Sequence, residues 1–184
     1  MRIVGGRFKG RGLKSPSSPV VRPTSDRLRE TMFNILAHAY DDACDGARVI
    51  DLFAGTGALG LEALSRGASH ALFVDDSSEG RALLRANIET LGVAGLTRVF
   101  RTDASKLGAM PPQPQFTLAF LDPPYGRDLA PRALAALAKG GWLAPGALCV
   151  VEEEAKADVP APEGFTQLEK RVTGDTQMLV LQRG

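Results

Sequence analysis

The sequence predicts a doubly wound α/β fold: an open, mostly parallel sheet ending in an antiparallel C-terminal hairpin, with a small N-terminal β extension. Three observations predict it. Apolar runs of strand length alternate with helical stretches from Ala47 onward, and such βαβ crossovers require a parallel sheet covered on both faces. The first run leads into a glycine turn that opens a helix. Near the C-terminus two extended segments are joined by Gly174-Asp175, a hairpin signal.

Taken in order, Arg2 to Val4 and Arg7 to Lys9 read as two extended pieces about a Gly5-Gly6 turn, and Ser15-Pro16-Ser17-Ser18-Pro19 reads as a loop. A helix capped near Thr24 or Ser25 runs to about Tyr40, with Leu28, Met32, Ile35, Leu36 and Ala39 at helical spacing. Strands are expected over residues 48–53, 71–75, 98–101, 117–121 and 148–152, and helices over 58–65, 79–91 and 129–139. The hairpin arms fall at about 166–172 and 177–182.

At 184 residues the chain has room for one domain and its core. No apolar run reaches the length of a membrane span. Cys44 and Cys149 form no C-x-x-C, and His38 and His70 are the only histidines, which argues against a disulfide scaffold or a metal site. A cytoplasmic monomer is expected. The net charge of +1 hides an asymmetry. Residues 1–30 hold eight basic side chains against Asp26 and Glu30, a balance of +6, so the other 154 residues sum to −5. This suggests a basic β extension over residues 1–22, on a domain spanning 23–184, that meets nucleic-acid phosphate. The candidate contacts are Arg7, Lys9, Arg11, Arg22, Arg27 and Arg29. Arg22, Arg27 and Arg29 have a second reading, as partners of Asp26 and Glu30 in a structural network.

The segment Asp51-Leu52-Phe53-Ala54-Gly55-Thr56-Gly57-Ala58-Leu59-Gly60 carries the most information. A glycine loop between strand and helix lets backbone approach a ligand and turns helix N–H groups toward it. Gly55 to Gly60 spells G-x-G-x-x-G, with Asp75 twenty positions on, so a dinucleotide is one reading. Asp51 opposes it: a carboxylate beside the glycines repels a pyrophosphate but suits the ammonium of S-adenosylmethionine. Asp75 serves the ribose of either. The candidate cofactor set is Asp51, Phe53, Ala54, Gly55, Gly57, Asp75, Asp76, Asp103 and Ala104, Asp103 being equally readable as a turn cap.

A second motif, Asp122-Pro123-Pro124-Tyr125, ends the apolar run Leu118-Ala119-Phe120-Leu121. In such sheets the ligand crevice lies at the carboxyl ends of the strands, so Asp122 shares a rim with Gly55 and Asp75. An exocyclic amine is a poor nucleophile because its lone pair is delocalised into the base. The Asp122 carboxylate and Pro123 carbonyl can hold the NH₂ as it pyramidalises, Pro124 stiffens the loop, and Tyr125 offers a face for a base swung out of its stack.

These motifs, with Ile3-Val4-Gly5-Gly6 and Arg22-Pro23-Thr24-Ser25-Asp26-Arg27-Leu28-Arg29-Glu30 leading to Phe33-Asn34, resemble the RsmD family of bacterial rRNA methyltransferases. The R-P-T-x-D-R-x-R-E-x-x-F-N segment is the specific part. The resemblance implies a seven-stranded, Rossmann-like class I methyltransferase fold and S-adenosylmethionine as cofactor. It further implies N2-methylation of guanine in 16S rRNA within the small ribosomal subunit or its assembly intermediate. Where many members carry Glu and a second acidic residue two positions on, this chain has Asp75 and Ser77. Methylation of DNA adenine or protein glutamine uses a similar Asp/Asn-Pro-Pro-aromatic loop, and an inactive ribosome-binding module is a further alternative.

Overall fold

The structure is a computed structural model describing residues 1–17 and 25–184; Arg22 lies outside the described residues. The elements run α1 (Asp26–Ala39), β1 (Arg48–Leu52), α2 (Ala58–Ser65), β2 (His70–Val74), α3 (Ser78–Leu91), β3 (Thr97–Phe100), β4 (Phe116–Leu121), α4 (Leu129–Lys139), β5 (Leu143–Glu154), β6 (Phe165–Thr173) and β7 (Thr176–Arg183). They form one seven-stranded sheet in the order β3-β2-β1-β4-β5-β7-β6. Strands β1 to β5 pair in parallel, and β7 inserts antiparallel between β5 and β6. The chain reverses direction across the sheet between β1 and β4, where a crevice opens at the strand ends.

Local chemistry sets the helix starts. Ser25 Oγ accepts from the Leu28 amide at 3.1 Å and Ser77 Oγ from the Gly80 amide at 3.1 Å, each satisfying an otherwise orphaned N–H. α3 stops where Gly92 takes the left-handed conformation. Two apolar layers cover the sheet. On one face Phe33 and Leu36 from α1, Leu61 and Leu64 from α2 and Leu84 from α3 pack on Phe73 and Phe120. On the other, Leu134 and Leu137 from α4 join Trp142, Phe116, Ile50 and Leu179. Burying each such side chain contributes roughly 1.5–3 kcal/mol. α2 is buried along its whole length, which explains its largely apolar sequence, and its two polar side chains, Glu62 and Ser65, are hydrogen-bonded.

The N-terminal segment departs from the expected hairpin. Its arms meet at a single antiparallel bridge, Arg2 with Gly12, and residues 7–10 form a turn rather than a strand. The Gly5-Gly6 pair is not a hairpin turn but a close approach to the end of α2. A Cβ on Gly6 would lie 2.0 Å from the Ser65 carbonyl oxygen, and one on Gly5 2.4 Å from the Arg66 guanidinium. β1 also ends one residue early, because Phe53 takes a φ of 58°, which no strand residue does. β5 begins at Leu143, five residues before the expected start, running through Pro145-Gly146 with a register shift against β4.

Candidate active site

The carboxyl ends of β1, β2, β4 and β5, with the turn after β3, enclose a cleft of about 540 Å³, within the range of small-molecule sites. The first wall is the loop after β1. Phe53 in the left-handed region is a strained conformation of the kind held at functional sites. It turns the chain so that the Ala54 amide bonds the Val74 carbonyl at 3.1 Å and the Gly57 amide the Ala54 carbonyl at 2.8 Å. Gly55 has a φ of +55°, and a Cβ there would meet only the Phe53 carbonyl oxygen, at 4.0 Å, so its left-handed backbone rather than crowding calls for glycine. Gly57 is a glycine for a different reason: at φ +82° its Cβ would fall 2.3 Å from Leu84 Cδ1.

Carboxylates fix this loop from both sides. Asp51 Oδ2 accepts from the Gly60 amide in the first turn of α2 at 3.0 Å. Burial pushes the Asp51 carboxyl up to about 8, with the Gly60 bond opposing and the Asp75 charge adding to the rise. Asp75 accepts from the Gly55 amide at 2.7 Å through Oδ2 and from the Ser77 amide at 2.7 Å through Oδ1. It therefore braces the glycine loop while lining the cleft. Asp103 turns out to be a cap: it accepts from the Ser105 amide at 2.9 Å and hydroxyl at 2.7 Å, and those bonds hold its carboxyl below the usual range. It lines the cleft as well, beside Ala104.

Asp122 and the Pro123-Pro124-Tyr125 turn form the opposite wall. Tyr125 Oη lies 3.0 Å from Thr176 Oγ1 and 3.5 Å from Glu152 Oε1, so the ring is tied to β7 and β5. The structure thus brings Asp122, Pro123, Pro124, Tyr125, Asp51, Phe53, Ala54, Gly55, Asp75, Asp76, Asp103 and Ala104 around one cleft. Gly57 stands behind it, packed on Leu84 and Phe73.

The basic residues divide. Arg7, Lys9, Arg11 and Arg27 are exposed, with Arg7 stacked on Phe8 at 4.5 Å and Arg11 donating to the Thr90 carbonyl at 2.7 Å. Arg29, read on sequence either as a phosphate contact or as a partner of Asp26 and Glu30, is fully buried. It pairs with Asp26 and, at 3.3 Å, with Glu62, and donates to the Arg2 carbonyl at 2.8 Å. Its guanidinium is enclosed and cannot meet solvent-borne phosphate. Sequence reasoning also missed Glu152, a buried carboxylate on the cleft wall. Its place at the carboxyl end of a core strand was the available signal.

Seven acidic side chains line the cleft (Asp51, Asp75, Asp76, Glu79, Asp103, Asp122 and Glu152), and no Lys, Arg or His does, among the described residues. An open α/β sheet ending in a hairpin, with a carboxylate-braced glycine loop beside a D-P-P-Y turn, defines a class I methyltransferase. The comparisons are narrower. The family model described as Conserved hypothetical protein 95 matches residues 1–182, and the chain belongs to this family, the one its motifs resemble. It is 40% identical to the Escherichia coli protein named Ribosomal RNA small subunit methyltransferase D, over 100% of this chain and 90% of the relative. The Haemophilus influenzae protein of that name is 36% identical over 95% and 89%. A solved Escherichia coli structure, yhhF, designated a methyltransferase, superposes with a TM-score of 0.84 at 36% identity, covering 100% and 97%. The chain is an enzyme of this class.

Proposed function

We propose that this enzyme transfers the methyl group of S-adenosylmethionine to the exocyclic N2 amine of a guanine in 16S rRNA, acting on the small ribosomal subunit or its assembly intermediate. The observation that carries the cofactor assignment is the charge of the cleft. Seven carboxylates and, among the described residues, no basic side chain disfavour a pyrophosphate and favour a ligand bearing an ammonium and a sulfonium, which supports this cofactor over a dinucleotide. The donor set fits piece by piece. Asp51 stands where an ammonium would relieve its burial, Asp75 is aligned by two backbone amides to accept from ribose hydroxyls, and Gly55 leaves space for close approach. Phe53, Ala54, Asp76, Asp103 and Ala104 complete this wall, with Gly57 supporting it.

When bound, the cofactor supplies an electrophilic methyl. Asp122 and the Pro123 carbonyl accept from the target NH₂ and stabilise positive charge developing on nitrogen. Pro124 removes an N–H donor from the turn and keeps it stiff. Tyr125, anchored through its hydroxyl, presents a fixed face to the flipped base. The substrate assignment is supported by the names of the relatives and by the exposed Arg7, Lys9, Arg11 and Arg27, which are suited to phosphate. Residues 1–22 then serve as the RNA-facing extension of the catalytic domain at 23–184. No helix among the described residues is long and apolar enough to cross a membrane; an rRNA substrate goes with a cytoplasmic enzyme, and this reading takes it as a monomer.

The test is methyl transfer from labelled S-adenosylmethionine to small-subunit particles lacking the modification, followed by nucleoside mass spectrometry. N2-methylguanosine is the expected product. Label in N6-methyladenine of DNA, or in a protein glutamine, overturns the substrate assignment and leaves fold and cofactor standing.

A further inference from the structure

Within that reading of the site, we infer that Glu152 is the residue that selects guanine, by accepting the N1–H that lies beside the target amine. Four observations place it. Leu121 of β4 is in register with Val151 of β5, so the next residues, Asp122 and Glu152, stand side by side on one rim. Adjacent strands lie about 4.8 Å apart, so side chains from the two strand ends can converge on one base edge. Glu152 lines the cleft although it is only 5% exposed, so a bound base meets it without competing bulk water. Third, its strand is held on both sides, by β4 and by Met178 of β7, which fixes its distance from Asp122. Fourth, its Oε1 is 3.5 Å from the hydroxyl of Tyr125, so the acceptor and the stacking ring are set relative to each other. A carboxylate accepts several hydrogen bonds at once, and the tyrosine bond is compatible with a second donor.

The chemistry of the bases makes this arrangement selective. In adenine the exocyclic amine is flanked by N1, a bare lone pair. In cytosine the amine is flanked by N3, also a lone pair. Only in guanine does a proton donor, N1–H, adjoin the amine. An acceptor next to the amine-holding pair Asp122 and Pro123 therefore completes a bond with guanine. Against adenine or cytosine it sets a lone pair against a carboxylate in a water-poor site. The D-P-P-Y loop alone reads an amine; Glu152 adds the identity of its neighbour.

The experiment uses the full-length enzyme and small-subunit particles reconstituted with synthetic rRNA. At the target position the rRNA carries either guanosine or 2-aminopurine riboside, which keeps the 2-amine but has no proton on N1. The wild-type enzyme should prefer guanosine in kcat/KM by ten- to a hundredfold, the scale of one hydrogen bond to a charged partner. Glu152→Gln, whose amide can turn an N–H toward the bare N1, should lower that preference at least tenfold in a protein that still binds S-adenosylmethionine by calorimetry. The missing 6-oxygen of the analogue affects both enzymes alike and cancels in the comparison. Glu152→Asp, with its carboxylate withdrawn by one methylene, should also lose preference, which covers failure of the glutamine variant to fold. Equal use of both nucleosides by the wild type, or an undiminished preference in a folded variant, overturns the inference. Absence of any N2-methylguanosine from the wild type overturns the proposed function instead, so the two failures are distinct.

Discussion

Replacing Glu62 with Gln tests the device that holds the N-terminal segment in place. Glu62 is fully buried on α2 and accepts four bonds: the Val4 and Gly5 amides at 3.0 Å each, Arg29 Nη1 at 3.3 Å and Arg66 Nε at 2.9 Å. Glutamine keeps one acceptor and turns its amide nitrogen, a donor, against two other donors. It also removes the charge opposing a buried guanidinium, that of Arg29, whose own pKa burial already lowers. Breaking a buried pair on one side costs about 3–5 kcal/mol. In a domain of this size that is a fall in Tm of roughly 6–20 °C, and a large part of a total stability of about 5–15 kcal/mol. The exposed Arg2–Asp26 pair, 3.8 Å apart, provides the contrast: Arg2→Ala should cost under about 1 kcal/mol. Thermal melting by circular dichroism reads the first effect, and hydrogen exchange over residues 1–14 reads release of the segment. A Glu62→Gln protein melting within about 2 °C of the parent, with unchanged exchange at Val4 and Gly5, would refute the reasoning.

The remaining predictions concern the cleft and the arm. Asp75→Ala should weaken S-adenosylmethionine binding by about 1.5–3 kcal/mol, roughly ten- to a hundredfold in Kd, in a folded protein; unchanged affinity by calorimetry removes Asp75 from the cofactor site. Because burial raises the Asp51 carboxyl to about 8, a neighbouring ammonium should lower it again. The complex then binds fewer protons than its parts, affinity rises with pH toward about 8, above which loss of the ligand's own ammonium proton opposes the gain, and calorimetry in buffers of differing ionisation enthalpy should detect proton release at pH 7. A pH-independent affinity contradicts the placement of the ammonium. Asp122→Ala should abolish methyl transfer with cofactor affinity nearly intact, and Asp122→Asn should retain more activity if holding the amine outweighs removing its proton; loss of cofactor affinity in either variant reassigns the residue. Substituting Arg7, Lys9 and Arg11 by Ser should weaken binding to small-subunit RNA and flatten the dependence of log K on log salt, and an unaltered slope would take the arm out of the phosphate interface.

Much of the frame was legible because it rests on local pattern. The helices over residues 58–65 and 129–139 begin and end as expected, since apolar periodicity and flanking glycines suffice to define them. The cleft walls followed from the rule that strand ends carry ligand residues, which placed Asp75 and Asp122 without any contact being known. What escaped depends on partners distant in sequence. Arg29 carries no sign that Glu62, thirty-three positions on, will enclose it. The Gly5-Gly6 pair reads as a turn by composition, and only the Ser65 carbonyl at its back reveals why side chains are absent there. The strand expected over 148–152 begins instead at Leu143, which pairs with Phe116 of β4.

One consequence attaches to α2. Gly60, in its first turn, donates to Asp51 at the cofactor wall, and its last residue, Ser65, receives the Arg7 amide on its carbonyl and the Phe8 amide on its hydroxyl. The eight-residue helix is about 12 Å long and so acts as a gauge between the glycine-loop wall of the cleft and the basic turn. One inserted residue would turn its far end by about 100° and shift it by about 1.5 Å, carrying Arg7 and Lys9 with it. The distance from the glycine loop to the basic turn is thereby written in a residue count.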